Sequence, residues 1–246
     1  MKIAAIIQAR CGSTRFPDKV FADICGKPLI WHVINRLKFA KKIDEVVLAT
    51  TLNPLDDKLY DWATLNKISV FRGSENDVLN RYYEAAKKHD VDIIIRITAD
   101  DPFKEPHIID QAICKLQKEN LDFVCNNFPP SFPEGLDIEV FTFHALEIEE
   151  LNSSSNFERE HVTQYFYHHP SSFNMSNISY LKDLSYLRWT IDTMEDLKMV
   201  QQIYSALYKG EDNIFHMNDI LQLIENRPEI AQINANVNRS EMYKSK

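Results

Sequence analysis

Three cations and a glycine follow the first apolar run of the chain, in Gln8-Ala9-Arg10-Cys11-Gly12-Ser13-Thr14-Arg15-Phe16-Pro17-Asp18-Lys19. Arg10, Arg15 and Lys19 have the reach to converge on one anion. Gly12 lets neighbouring backbone amides approach its oxygens without a Cβ in the way. The chemistry open to such a set is the binding and charge neutralisation of phosphate. A solvated basic turn would use the same residues, and spacing alone leaves both readings open. There is no GxGxxG and no GxxxxGK[ST], so neither a dinucleotide fingerprint nor a P-loop is present.

Carboxylates that could hold the counter-cation lie further along. Asp100 and Asp101 follow an apolar run and precede Pro102. A carboxylate just past a central strand faces the crevice in which open α/β sheets bind ligands. Mg²⁺ uses one or two carboxylates together with phosphate oxygens and waters. Asp100 is therefore a candidate metal ligand, although Asp-Asp-Pro also makes a turn and helix entry, the reading preferred for Asp101. Asp192, in Trp189-Thr190-Ile191-Asp192-Thr193-Met194-Glu195-Asp196, is either a second ligand or part of a helix cap, since Thr193 and Asp196 have capping-box spacing. Arg188, four residues earlier, could meet a phosphate or an acidic substrate group.

Two further polar clusters stand out. The stretch from Arg72 to Arg81 opens a helix, whose start can bind a base or ribose through its free amides, with Asp77 a natural N-cap. Glu158 and His161 sit at i and i+3 on one helix face. HExxH is absent, so zinc is a poor reading of that pair.

The elements that must position these residues follow from periodicity. Apolar runs predict strands at 3–8, 45–50, 68–71, 92–97 and 121–126, several apolar on both parities as doubly covered strands are. Helices are predicted between them at 28–41, 54–65, 77–89 and 105–119, with Pro28 and Pro54 suited to first turns. This rhythm means parallel βαβ units with right-handed crossovers. After residue 127 a loop with three prolines leads to a strand at 136–142 whose change of pattern suggests an antiparallel pairing, then two helices and a short strand at 173–178. Residues 127–186 read as a lid or substrate-side extension of one α/β domain. A helix at 217–224 and a polar tail close the chain.

At 246 residues the chain can bury one large core. A net charge of −8 argues against a nucleic-acid-binding surface and makes the cationic cluster a local attractor for anions. No apolar run approaches the ~18 residues of a membrane span. Cys11, Cys25, Cys114 and Cys125 lack CxxC spacing and read as reduced thiols, so a cytoplasmic protein is expected. Cys11, inside the loop, is either a reactive thiol or a filler.

The motifs as a set resemble a family. The cationic stretch with Gly26-Lys27-Pro28-Leu29 is similar to the signature of nucleotidyltransferases that activate sugars. The nearest branch is the cytidylyltransferases of the spore-coat polysaccharide protein SpsF, with the CMP-Kdo and CMP-sialic acid synthetases more distant. The resemblance continues through Ala49-Thr50-Thr51, 71–86, 96–102, 158–163 and 187–196, in order over residues 1–208. It implies a single Rossmann-like, GT-A-like domain over 1–208, with a mostly parallel mixed sheet and helices on both faces, and a C-terminal helix and tail over 209–246. It implies CMP transfer from CTP, with Mg²⁺, to an acidic sugar or phosphorylated acceptor, and release of pyrophosphate. Ala9, Arg10, Gly12, Ser13, Arg15 and Lys19 would hold phosphates, Ser74 and Arg81 the base and ribose, and Glu158, His161 and Arg188 the acceptor. Asp100 and Asp192 would hold the metal, with Arg10, Arg15, Lys19 and Asp100 catalytic. A homodimer without nucleic-acid or membrane partners is implied. Another NTP, a nucleotide-sugar glycosyltransferase (Asp100-Asp101-Pro102 is not DxD), or an idle scaffold are the competing readings.

Overall fold

The computed structural model describes residues 1–13 and 15–238. The chain opens with β1 (Ile3–Gln8), whose residues are apolar on both parities and buried on both. A 3-10 turn at Lys19–Phe21 and a small hairpin of β2 (Asp23–Ile24) and β3 (Lys27–Pro28) carry it to α1 (Leu29–Leu37). Then follow β4 (Glu45–Thr51), α2 (Asp57–Leu65), β5 (Ser69–Gly73), α3 (Val78–Lys88), β6 (Ile93–Thr98) and α4 (Pro106–Glu119). The second half supplies β7 (Phe123–Cys125), β8 (Glu139–Thr142), α5 (Phe143–Asn152), α6 (Asn156–His161), α7 (Gln164–His168) and β9 (Met175–Asn177). It ends with α8 (Met194–Leu207), α9 (Met217–Asn226) and α10 (Glu229–Gln232).

Seven strands form one sheet in the order β5-β4-β1-β6-β8-β7-β9. All pairings are parallel except those of β8, which runs against β6 and β7. The expected antiparallel strand therefore exists, shortened at its start. Alternate residues of β1 serve two cores. Ile3, Ala5 and Ile7 pack with α1, α4 and α8 on one face, while Ala4 and Ile6 pack with α3, α5 and α7 on the other. Helices cover both faces, as a run apolar on both parities requires.

After β1 the chain winds outward through β4 and β5, then crosses back to place β6 on the other side of β1. The winding direction reverses between β1 and β6, which defines the topological switch point of the sheet. Gln8 is in register with Thr98 there, so the segments after these two residues leave the sheet side by side. Residues 209–238 pack onto the α1 and α4 face, burying Phe215, Met217, Ile220 and Ile230 in that core. The last part of the predicted polar tail, 239–246, lies outside the described residues. No helix among the described residues is long and apolar enough to cross a membrane.

Candidate active site

The two loops leaving the switch point bring opposite charges together. Lys19, on the 3-10 turn, donates from Nζ to Asp100 Oδ2 at 2.8 Å, to Asp192 Oδ1 at 3.0 Å and to the carbonyl of Ile191 at 3.0 Å. Burial alone would lower the pKa of this ammonium, but the two carboxylates outweigh it and hold it above its ordinary value. Burial likewise works to raise Asp100, and the Lys19 charge overrides it, taking the carboxyl down to about 2. Arg15 reaches Asp192 Oδ1 at 3.2 Å from an exposed position. Arg10 stands 3.7 Å from Glu75, itself bonded to Asn53.

The loop is held from beneath by Asp56, which is buried. Its carboxylate accepts from the Cys11 amide at 2.7 Å and from the Thr51 hydroxyl. Asp18 lies in the left-handed region at φ 58°, turning the chain so that Lys19 points inward. Burial, reinforced by Asp56, pushes the Cys11 thiol up to about 12, so Cys11 is an inert packing residue.

Asp192 is set by a network rather than by a helix cap. Thr193 and Asp196 form the capping box of α8, which leaves the Asp192 carboxylate to the cleft. Arg188 is buried and spends its guanidinium on Glu134 at 2.6 Å, Asp196 at 3.1 Å and Asp192 Oδ2 at 2.9 Å. Gly135 passes so close to the segment carrying Arg188 and Trp189, at φ 101°, that a Cβ would sit 2.8 Å from the Trp189 carbonyl. Only glycine fits there.

Above these groups opens a cavity of about 770 Å³, a size suited to a small ligand. Ala9, Arg10, Ser13, Arg15 and Lys19 line it together with Asp100 and Asp192. Arg81 lines it from α3, buried and with its Nε unpartnered among the described residues. His161, Asn156, Arg159 and Glu160 line it from α6. A smaller recess of about 230 Å³ adjoins it, sharing Arg15, Asp100, Asp192 and His161 and adding Arg96, Lys104 and Asp137 among others. Burial lowers the His161 pKa, so the ring is neutral at neutral pH.

Several expected residues stand back from the cavities. Gly12 is exposed and faces Glu75. Ser74 braces the loop: its hydroxyl accepts from the Asp77 amide and its carbonyl from Arg81. Glu158 is buried against His168 at 3.1 Å, while its neighbours on α6 face the cavity. Arg188 lines neither cavity, because its guanidinium is committed to three carboxylates. Asp101 caps no helix; it accepts from Thr98 and pairs with Lys104 at 2.9 Å. Sequence reasoning missed Asp56, which read as a helix start, and Arg159. Arg159 ties α6 to Asp77 at 2.7 Å and to Glu150 at 2.8 Å. It also missed Asn234, whose stretch carried no motif.

Asp100 and Asp192 fit a hard divalent cation. Both offer carboxylate oxygens, and both already touch one positive charge on Lys19.

A mostly parallel sheet with a cationic loop and two converging carboxylates at its switch point has the architecture of the Rossmann-like nucleotidyltransferase fold. Residues 4–241 match the model of the cytidylyltransferase family, and the chain belongs to that family. It is 38% identical to an uncharacterised protein of Methanocaldococcus jannaschii, over 99% of this chain and 98% of that one. It is 29% identical to the spore coat polysaccharide biosynthesis protein SpsF of Bacillus subtilis, over 93% and 96% of the two chains. The structure of a cytidylyltransferase from Leptospira borgpetersenii superposes with a TM-score of 0.89 at 35% identity, covering 94% of this chain and 97% of that one.

Proposed function

We propose that the protein transfers CMP from CTP to a small acceptor, an acidic sugar or a phosphorylated metabolite, and releases pyrophosphate. The observation that carries this reading is Lys19 Nζ lying between Asp100 and Asp192 at the mouth of the larger cavity. A nucleoside triphosphate with its cation needs that pairing of charges, with cations for the phosphates beside carboxylates for the metal.

In the proposed reaction an acceptor oxygen attacks the α-phosphorus of CTP. The bond from that phosphorus to the bridging oxygen breaks, and pyrophosphate leaves with the electron pair. The acceptor proton passes to Asp100 or Asp192, or to water. Arg10, Arg15 and Lys19 hold the phosphates and offset the charge on the leaving pyrophosphate. Asp100 and Asp192 would hold Mg²⁺, which when bound would neutralise phosphate charge and polarise the reacting oxygens. Arg81, buried and with an Nε unpartnered among the described residues, receives the ribose or cytosine, and Ser74 holds Arg81 in place. His161 lies between the two cavities and meets the acceptor as a neutral hydrogen-bonding ring. Residues 127–186 form the acceptor side, since they supply His161 and part of the recess. SpsF is named for spore-coat polysaccharide biosynthesis. By that kinship the product is an activated precursor for surface polysaccharide or glycan assembly.

The test is pyrophosphate release from purified protein with each common NTP, Mg²⁺ and a panel of sugar acids and sugar phosphates. Release with CTP alone, lost in Asp100→Asn, is the expected result. Silence in every well, with CTP leaving the melting temperature unmoved, would refute it.

A further inference from the structure

Asn234 follows α10, in the part of the chain that sequence reading set outside the catalytic domain, yet its side chain is buried beside the Asp192 network. Its amide donates to Asp196 Oδ1 at 2.9 Å and to the carbonyl of Arg188 at 3.0 Å. Asp196 is fully buried and is the hub of that network. Its oxygens accept from Arg188 Nε at 3.1 Å, the Asp192 amide at 3.0 Å and the Thr193 amide at 3.0 Å. Arg188 in turn fixes one oxygen of Asp192, which turns the other toward Lys19 and the cavity.

We infer that Asn234 is a positioning residue for Asp192: through Asp196 and Arg188 it sets which oxygen the site offers to a divalent cation. This rests on the reading of Asp192 as a metal ligand. The chemistry requires a donor at that point. Asp196 is an anion in a buried site crowded with carboxylates, and each donor it accepts from stabilises its charge. Without the amide, one Asp196 oxygen and the Arg188 carbonyl lose a partner in a dry environment. The guanidinium then shifts toward Asp196 and away from Asp192. Groups that orient a metal's ligands from behind change metal affinity by about 10–100-fold. The C-terminal segment thus completes the site instead of trailing from it.

The experiment measures Mn²⁺ binding by electron paramagnetic resonance, with a non-hydrolysable CTP analogue present, alongside kcat, KM and Tm. Asn234→Leu removes the donor at nearly constant volume and is expected to weaken Mn²⁺ about tenfold, lowering kcat with little change in the KM for CTP. Ile230→Ala loosens the same segment without touching Asp196, and is expected to lower Tm while leaving Mn²⁺ affinity intact. Asn234→Asp should be defective at neutral pH, with the deficit shrinking as pH falls and the introduced carboxyl, once protonated, donates to Asp196. Normal Mn²⁺ binding in Asn234→Leu, or an equal loss in Ile230→Ala, overturns the inference. If Asn234→Leu does not fold, a deficit in Asn234→Asp that ignores pH overturns it. Asp192→Asn separates the two levels. Wild-type binding there refutes the metal reading itself and this inference with it, whereas lost binding there beside normal Asn234 variants refutes the positioning role alone.

Discussion

Lys19 is the residue on which the charge balance of the site turns. It is largely buried, and both of its carboxylate partners lie on segments far away in sequence. Lys19→Ala is expected to lower the rate of pyrophosphate release by about 10²–10³-fold, comparable to removing one preorganised donor from a transition state. Its Tm should respond more steeply to added Mg²⁺ than that of the wild type, because two carboxylates are left facing each other. Glu149 offers a test at the same scale with the opposite sign. It is fully buried, and burial, with the charge of Glu139 added, pushes its carboxyl well above its ordinary value of 4.5. The folded chain therefore keeps a proton that the unfolded chain loses as pH rises past about 4.5, so this group costs increasing stability at higher pH. Glu149→Gln is expected to raise Tm at pH 8 and to change it little at pH 4, which thermal melts across that range would show.

The elements show what periodicity can and cannot reveal. The strands and helices of the first half were legible to within a few residues, because βαβ units announce themselves through apolar runs and capping residues. Gln8 and Thr98 end strands readable in the sequence, so the loops carrying Lys19 and Asp100 were legible as site segments. Arg188 shows the limit. A positive charge four residues before a candidate metal ligand reads as a substrate contact, and only the fold reveals Glu134 and Asp196 closing around it. Asp56 was hidden because its neighbours also start a helix, and its bond to the Cys11 amide spans strands. Element α6 makes a prediction of its own. Arg159 clamps it to the α3 cap and to Glu150, so Arg159→Ala frees the wall that carries His161. KM for the acceptor should rise more than kcat falls, with a loss of about 1–3 kcal/mol in stability from charged hydrogen bonds. Steady-state kinetics and denaturant melts would measure both.

At the scale of the molecule, the site is assembled from the whole length of the chain. Residue 10 lies near one end of the described segment and Asn234 near the other, and both serve the same cleft. A chain ending at 208 is expected to lose both Mn²⁺ binding and thermal stability, since Phe215, Met217 and Ile230 leave the core with Asn234. The net charge of −8 places the cationic loop in an acidic surround. Capture of CTP should weaken with added salt only modestly, because the cations at the cleft act over distances within about a Debye length of 8–10 Å.

The position of Lys19 between Asp100 and Asp192 makes it a tethered counter-ion. If Asp100 and Asp192 hold the cation as proposed, a free divalent ion would have to displace that ammonium, which has no other anion at hand among the described residues. An ion arriving with a triphosphate would offer Lys19 new anions as it takes the old ones. Metal and nucleotide would then enter as one key with two teeth, each making room for the other. Calorimetry should find Mg²⁺ binding weakly alone, and more tightly with CTP by the same factor as CTP gains from Mg²⁺.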